Sequence, residues 1–281
     1  MKPLQSLKVV QPTSGCGGNG NCTCKDETHD EMAELIGAIQ ERYGQVAERG
    51  SSNDSLSSAC CGNATALYSD GDLLTITPQA AGASAGCGNP VGIAEVKPGE
   101  TVLDLGSGGG IDCFLAAQAT GLGGHVYGVD MTLAMLKLAR ENAEKMKAQN
   151  VTFLAGRIEA VPMPDESVDL VISNCVIALA PDKQLVFEEI MRLLKPGGRF
   201  VVSDVVSTTE LPIEARRSME EWVSCIGGAD LMTRYTDRIT ETGFINLEVL
   251  SDVPFQSDAD GDPWRESLRS VTVRAFKPSA S

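Results

Sequence analysis

The sequence has no long apolar run: none of its 281 residues falls in a stretch of uninterrupted hydrophobic side chains long enough to cross a membrane. A membrane-spanning helix needs roughly 18 or more such residues. The first residues, MKPLQSLKVVQPTSGCGG, also lack the continuous apolar segment of a secretory signal peptide. From these absences we expect a cytoplasmic protein with no membrane partner.

Positive charge is scarce as well. The chain has 23 Lys and Arg residues against 38 Asp and Glu residues, which gives a formal net charge of −15. A surface of this sign repels phosphate backbones and acidic membranes. The charge therefore disfavours nucleic acid as a partner or as a substrate.

Cysteine, by contrast, is plentiful. The nine cysteines stand at positions 16, 22, 24, 60, 61, 87, 113, 175 and 225. An odd number scattered over a long chain is not typical of a disulfide scaffold. The C-x2-C spacing of a structural zinc site does not occur in the sequence, so a closed zinc site is disfavoured. Metal binding or catalysis is the better interpretation of these thiols, with one or two of them simply buried.

Strands and helices alternate in the middle of the chain. The segments TVLDL, HVYGVD, VTFLAG, SVDLVISN and RFVVSDVV predict strands, the intervening segments predict helices, and KPGG predicts a turn. This order indicates a parallel sheet with helices on both faces. An amphipathic helix is predicted earlier, over THDEMAELIGAIQERYGQVAE. His125 begins the second strand and is expected to be structural.

The order is less regular after residue 208. A helix is predicted over PIEARRSMEEWVSCI, beginning at Pro212, and another over YTDRITETG, ending at Gly243. INLEVLS and RSVTVRAFK predict two further strands. These strands either complete the sheet or build a small cap, and the pattern leaves both arrangements open.

A glycine turn in VLDLGSGGG is the most specific local pattern. Gly106, Ser107, Gly108 and Gly110 let the chain turn tightly and bring backbone N–H groups close to a ligand. A strand precedes the turn and a helix follows it. Asp130 ends the next strand, where an acid can accept both hydroxyls of a ribose.

The turn does not have the G-x-G-x-x-G spacing of a dinucleotide site, and Asp104 stands two residues before its first glycine. A carboxylate there suits a ligand with a cationic amino group. With LLKPGGRFVVSD, the segment resembles the class I S-adenosylmethionine-dependent methyltransferases over roughly residues 95–206. The resemblance implies S-adenosylmethionine as methyl donor. It also implies that the adenine and the donor end are flanked by Met131, Ile158, Glu159, Ser173 and Asn174.

A more specific resemblance covers roughly residues 40–245. The segments ACCG, GCGNP, VLDLGSGGGIDCFLAA, GVDMT, SNCVIAL and CIGGA occur in this order and are similar to those of the arsenite S-adenosylmethionine methyltransferases. The implied fold is α/β: a Rossmann-like class I methyltransferase sheet with helices on both faces, plus a smaller C-terminal α+β region at the arsenic site. We expect a cysteine-containing tail, helix and loop over 1–66, the donor-binding methyltransferase domain over 67–206, and a C-terminal domain over 207–281.

The same resemblance assigns roles to the thiols. In that family, cysteines from corresponding segments bind trivalent arsenic. Carried over, Cys175 and Cys225 are the first candidates and Cys87 the next. The most N-terminal functional thiol falls on Cys60 or Cys61, with a slight preference for Cys61, and pairs with Cys87 in a disulfide. Other cysteines lie outside this set: Cys113 is expected to be structural, and Cys16, Cys22 and Cys24, with or without His29, either capture metalloid or have no role.

The implied reaction needs little acid–base chemistry. Three thiolates hold arsenic with its lone pair facing the sulfonium methyl, and positioning then does most of the work. The sequence offers no convincing His/Asp pair and this reaction does not require one. The arsenic, oxidised by the transfer, is returned to the trivalent state by protein thiols or by an external thiol reductant such as glutathione or thioredoxin. The substrate is expected to arrive as a thiol conjugate, in a route of arsenic detoxification.

Two other functions fit parts of the sequence. One is a class I methyltransferase for an organic small molecule, with structural cysteines. The other is a thiol-based metalloid-binding protein that sequesters without methylating, although Asp104, Gly106 and Asp130 argue against storage alone, because storage needs no donor site. Ala178 departs from the asparagine found in many relatives of the arsenite family. The sequence carries no signal for an oligomeric state.

Overall fold

A computed structural model of the chain describes residues 27–51, 67–255 and 262–280. The candidate thiols Cys60 and Cys61 lie outside these ranges, as do the tail residues Cys16, Cys22 and Cys24. The His29 side chain is likewise outside what is described.

The predicted alternation of strands and helices is confirmed. The described helices are α1 (Glu27–Ser51), α2 (Asp70–Leu74), α3 (Pro78–Gly82), α4 (Pro90–Ile93), α5 (Ile111–Thr120), α6 (Leu133–Met146), α7 (Lys183–Leu193), α8 (Ile213–Arg217), α9 (Met219–Val223) and α10 (Met232–Glu241), with short 3-10 turns at Ile177–Leu179 and Pro263–Ser267. The strands are β1 (Thr101–Leu105), β2 (His125–Asp130), β3 (Val151–Ala155), β4 (Val168–Asn174), β5 (Leu194–Ser207), β6 (Asp230–Leu231), β7 (Ile245–Pro254) and β8 (Leu268–Phe276).

The described strands form one sheet in the order β3-β2-β1-β4-β5-β8-β7, with β6 beside the end of β5. Strands β1 to β5 are parallel, and β8 runs antiparallel between β5 and β7. The last two strands therefore complete the sheet, which decides between the two arrangements that the sequence left open. The chain reverses direction across the sheet between β1 and β4, where ligands bind in open α/β folds.

Two local predictions need correction. KPGG was predicted to be a turn, but it belongs to the start of β5, where Gly197 has a φ of +78° and donates to the carbonyl of Lys277. The helix predicted from Pro212 is divided into α8 and α9. Ser218 causes the break because it adopts an extended conformation and its side chain caps α9 by accepting from the N–H of Glu221.

The central strands are buried on both faces. One apolar cluster packs under α7 and α10, and it contains edge-to-face contacts of Phe187 with Tyr235 and of Phe200 with Phe244. The opposite face packs under α5 and α6, with Phe114 against Phe153. Burial on this scale holds the ends of β1, β2 and β4 in fixed positions. Among the described helices, none is both long and apolar enough to span a membrane.

Candidate functional site

A cavity of about 950 Å³, part of which opens to solvent, lies at the carboxyl ends of β1, β2 and β4. Its walls come from the loops that follow these strands, from the segment 83–86 and from one face of α1. The cavity therefore occupies the edge of the sheet at which the strand order reverses.

The glycine turn forms the floor of the cavity. Gly106 has a φ of +73°, and a Cβ there would lie 2.5 Å from Val176, so only glycine fits. Ser107 is 5% exposed, and its hydroxyl has no hydrogen-bond partner among the described residues. Gly108 lines the cavity. Gly110 instead caps α5 with a φ of +93° and packs against Phe114, so it shapes the turn without lining the cavity.

Asp130 stands at the end of β2, as predicted, and lines the cavity. Its carboxylate accepts from the backbone N–H of Gly108 at 2.9 Å and of Thr132 at 2.7 Å. Burial raises the pKa of Asp130, and these hydrogen bonds oppose the shift. The carboxylate thus ties the glycine turn to the loop that follows β2.

The predicted adenine-flanking residues Met131, Ile158 and Glu159 also line the cavity. Glu159 forms an ion pair with Arg157 at 3.0 Å. The backbone carbonyl of Met131 accepts from Gln40 Nε2 on α1 at 3.1 Å. This end of the cavity therefore carries the apolar and polar side chains that a ring such as adenine needs on its faces and edge.

Asp104, which the sequence predicts to meet the amino group of the ligand, is not among the described residues that line the cavity. It is 2% exposed beneath the glycine turn, and Cys113 Sγ donates to it at 3.2 Å. Burial, followed by the nearby charge of Asp112, raises the pKa of Asp104 well above its usual range. Among the described residues that line the cavity, the carboxylate near this position is that of Asp112, in the first turn of α5.

Asn174 connects the cavity to the loop that carries Cys87. Its Oδ1 accepts from the backbone N–H groups of Cys87 at 3.0 Å and Gly88 at 3.1 Å, and its Nδ2 donates to the carbonyl of Gly88 at 2.8 Å. The same Nδ2 lies 3.2 Å from Asp112 Oδ2 and 3.0 Å from the hydroxyl of Tyr68. Most of its hydrogen-bonding capacity is therefore used to hold the loop. Ser173, one residue earlier, is buried and donates to the carbonyl of Leu105 at 2.9 Å.

Three of the predicted acceptor thiols come together in one apolar cluster. Cys87, Cys175 and Cys225 arrive from separate loops and are 8%, 2% and 0% exposed. Cys225 Sγ donates to the carbonyl oxygen of Cys175 at 3.1 Å, and Cys175 lines the cavity. Over the described ranges, no group of three or more His, Cys, Asp or Glu side chains is placed closely enough to hold a metal ion. The structure thus brings these thiols into one cluster without assembling a closed metal site.

The backbone at two of these cysteines is unusual. Cys175 has a φ of +61° and Cys225 a φ of +65°, in the left-handed region that non-glycine residues rarely adopt. Such conformations cost free energy and persist where the surrounding structure enforces them, commonly at functional sites. Cys175 and Cys225 share this left-handed conformation, and Cys113 does not. Cys113 lies within α5, is fully buried and donates to Asp104, which fits a structural cysteine.

Lys183 supports the loop that follows Cys175. Its buried Nζ donates to the carbonyls of Ala178 at 3.2 Å and Ala180 at 3.0 Å. Burial lowers the pKa of Lys183 to about 8. The backbone of Ala178 also approaches Gly228 so closely that a Cβ there would lie 2.0 Å from the Ala178 carbonyl oxygen. His125 is remote from this region and pairs with Thr152 at 2.9 Å, as expected of a structural residue.

Sequence analysis predicted helix α1 but not its place in the site. Ile36, Ile39 and Tyr43 of α1 line the cavity. The Tyr43 hydroxyl also lies 3.7 Å from Cys225 Sγ. Apolar residues at helical spacing indicate that one face of a helix is buried, but they do not identify the surface that covers this face. The position of α1 over the site could therefore not be predicted from the sequence. Tyr68 and Asp112 were missed as well: Tyr68 belongs to none of the quoted segments, and Asp112 lies in VLDLGSGGGIDCFLAA but was assigned no role there.

Residues 96–252 match the family model described as a methyltransferase domain. The arsenite methyltransferase of Halobacterium salinarum is 41% identical over 271 residues, which is 90% of this chain and 68% of that protein. The arsenite methyltransferase of Aquipseudomonas alcaligenes is 36% identical over 85% of this chain and 71% of its own length.

A solved structure agrees with these relatives. The crystal structure of CrArsM, an arsenic(III) S-adenosylmethionine methyltransferase from Chlamydomonas reinhardtii, superposes with a TM-score of 0.62 at 33% identity, over 80% of this chain and 75% of that one. The alignments to the two arsenite methyltransferases cover 90% and 85% of this chain, so they extend beyond the donor-binding part. The chain belongs to the arsenite methyltransferase family of S-adenosylmethionine-dependent methyltransferases.

Proposed function

We propose that this protein transfers methyl groups from S-adenosylmethionine to trivalent arsenic held by cysteine thiolates. The observation that carries the proposal is that Cys87, Cys175 and Cys225 belong to one buried apolar cluster and that Cys175 also lines the cavity. Soft thiolates select soft, thiophilic acceptors. Arsenic enters this account as the substrate. In this role the enzyme would detoxify arsenic.

The cavity fits the proposed donor. Ser107 offers a buried hydroxyl that lacks a partner among the described residues. Gly108 lines the cavity, and a Cβ there would meet only Met135 Sδ, at 3.9 Å, so the space beside this residue is open to a ligand. Asp130 accepts ribose hydroxyls, and Ile158 and Met131 pack against adenine. S-adenosylmethionine supplies a methyl group that its sulfonium already activates for displacement.

The residues of the chain do the positioning. Cys175 and Cys225, with Cys87 as third thiolate, hold arsenic so that its lone pair faces the donor end of the cavity. An As–C bond forms as the S–CH₃ bond breaks, and the electrons of that bond neutralise the sulfonium. No general base is needed because arsenic loses no proton in this step, and holding the reacting atoms in line accounts for most of the rate. The thiol protons leave when the As–S bonds form, as they do when thiols bind metals.

Arsenic is formally oxidised from the trivalent to the pentavalent state by the transfer, so two electrons must be returned. Two thiols can supply them by forming a disulfide. We assign this step to Cys87 with Cys60 or Cys61, the preferred partner being Cys61, and the regeneration of the thiols to an external reductant such as glutathione or thioredoxin. Arsenic is delivered as a thiol conjugate, from which the cysteines take it by exchange.

The test is a methylation assay of the full chain with arsenite, S-adenosylmethionine and a thiol reductant, with arsenicals separated by chromatography. We expect methylated arsenicals and S-adenosylhomocysteine to form together. Binding of arsenite without product would favour a sequestering protein. Donor consumption with an organic acceptor and none with arsenite would favour the other methyltransferase activity that the sequence allowed.

A further inference from the structure

One buried carboxylate in the cavity has no part in the steps above. Asp112 is 4% exposed, lines the cavity, and receives hydrogen bonds from the hydroxyl of Tyr68 at 2.9 Å and from Asn174 Nδ2 at 3.2 Å. A carboxylate has about four acceptor positions. The two neighbours therefore fix its orientation and leave it able to accept from a ligand.

Its place in the cavity indicates which part of a ligand it meets. Asp130, Ile158 and Glu159 line one end, where adenosine fits, whereas Asn174 and Cys175 line the other. Asp112 belongs to the second end because it touches Asn174 directly. The Ser107 hydroxyl, buried and without a partner among the described residues, lines the same cavity and gives an independent sign that a polar ligand group is accommodated there.

The alternative carboxylate is Asp104, which sequence reasoning favours. It lies beneath the glycine turn, is not among the residues that line the cavity, and accepts from Cys113 Sγ. Asp104 and Asp112 are close enough to repel each other, since the charge of Asp112 raises the pKa of Asp104. A cation that contacts Asp112 would also relieve this repulsion.

We propose that Asp112 is the anionic contact for the α-ammonium group of the methyl donor, and that Tyr68 and Asn174 orient its carboxylate. This assignment rests on the proposed function, because it takes S-adenosylmethionine as the donor. It also gives the Asn174 side chain a second role. The side chain that orients Asp112 also holds the loop of Cys87, so the donor's amino group and an acceptor thiol are positioned through one residue.

The test is calorimetric binding to the full chain without arsenic, using three ligands. S-adenosylhomocysteine carries the amine and the carboxylate, its desamino analogue keeps only the carboxylate, and 5′-methylthioadenosine lacks both. In the Asp112→Asn variant we expect affinity for S-adenosylhomocysteine to fall about 10- to 100-fold, the range for a lost hydrogen bond to a charged group. Affinity for the other two ligands should stay within about twofold, because neither carries the amine. Tyr68→Phe should give a smaller, equally selective loss.

Asp104→Asn is the matched comparison, and we expect it to lack this selectivity for the amine. Circular dichroism of each variant separates loss of fold from loss of contact. Equal affinity of Asp112→Asn and wild type for S-adenosylhomocysteine would overturn the assignment, as would an equal loss for all three ligands. A wild-type chain that binds none of the three would overturn the proposed function, and the assignment with it.

Discussion

The thiol of Cys225 donates a hydrogen bond to the backbone carbonyl oxygen of Cys175, with 3.1 Å between the two atoms. The two residues are far apart in sequence, and each has a left-handed backbone conformation. This contact joins the loop after β4 to the segment after α9. It places the thiol of Cys225, from the C-terminal part of the chain, directly beside the backbone of Cys175, a residue that lines the cavity.

Replacing Asn174 with alanine should both destabilise the protein and slow methyl transfer. The backbone N–H groups of Cys87 and Gly88 would lose their shared acceptor. An unsatisfied buried donor costs about 1–3 kcal/mol, so we expect the free energy of unfolding to fall by about 2 kcal/mol, measured by urea denaturation. Activity should fall further than this loss of stability explains, because the Cys87 loop is no longer held.

Asn150→Ala is the matched control for that experiment. Asn150 also uses its amide to hold backbone, donating to the carbonyls of Ala117 and Gly121 away from the cavity. The control should lose stability and keep its rate of arsenite methylation at a temperature where it is folded. Equal loss of activity in both variants would show that the effect of Asn174 is purely structural.

A second prediction concerns pH and Asp204, which is fully buried near Cys225, Lys183 and Tyr235. Burial, with the nearby Cys225 as the next cause, raises the pKa of Asp204 from 3.8 to about 7. Between about pH 4 and pH 7 the folded state thus keeps a proton that the unfolded state has lost. The contribution of this group to stability is therefore present at low pH and lost as pH rises through this window.

Asp204→Asn should remove that dependence. Because the pKa of Asp204 is raised in the folded state, the variant should gain unfolding free energy relative to wild type as pH rises from 5 to 7.5. Urea denaturation at the two pH values measures the gain, with the exposed Asp237→Asn as control. An equal difference between variant and wild type at both pH values would contradict the shifted titration of Asp204.

The role of Cys87 can be separated from that of the other two thiols. A monomethylated arsenical has one fewer bond available for sulfur, so it needs only two thiolates. Cys87→Ser should therefore lose methylation of arsenite and retain methylation of a trivalent monomethyl arsenical when external thiol is supplied. Chromatography of the products from the two substrates measures both activities. Loss of both would contradict the prediction and show that Cys87, like Cys175, is required for each methylation step.

Most of the sheet could be predicted from the sequence because each buried strand is short, apolar and followed by a glycine or polar turn. The predicted strand TVLDL, for example, is observed with the same limits. The break at Ser218 could not be predicted in this way, since a serine is compatible with both a helix interior and a helix cap.

The position of a site residue was predictable where the residue ends a strand or directly follows one. Asp130 and Cys175 are in that class, because the carboxyl ends of parallel strands meet at one edge. Asp112 and Tyr68 are not, since their roles depend on which side of a helix or loop faces the cavity. Asp104 shows most clearly that a place in a motif does not determine which way a side chain points. Its position in the motif suggested contact with a ligand, but the pleat of β1 and the glycine turn above it direct the carboxylate to Cys113.

The most direct test of the account is arsenite methylation by Cys175→Ser and Cys225→Ser, measured together with S-adenosylhomocysteine binding by calorimetry. Cys113→Ser, which keeps a donor for Asp104, serves as the matched control and should remain active. We predict that each of the first two variants loses methylated product and binds S-adenosylhomocysteine with wild-type affinity. Wild-type rates of arsenite methylation in either variant would contradict the proposal that these two thiols hold arsenic at the donor cavity.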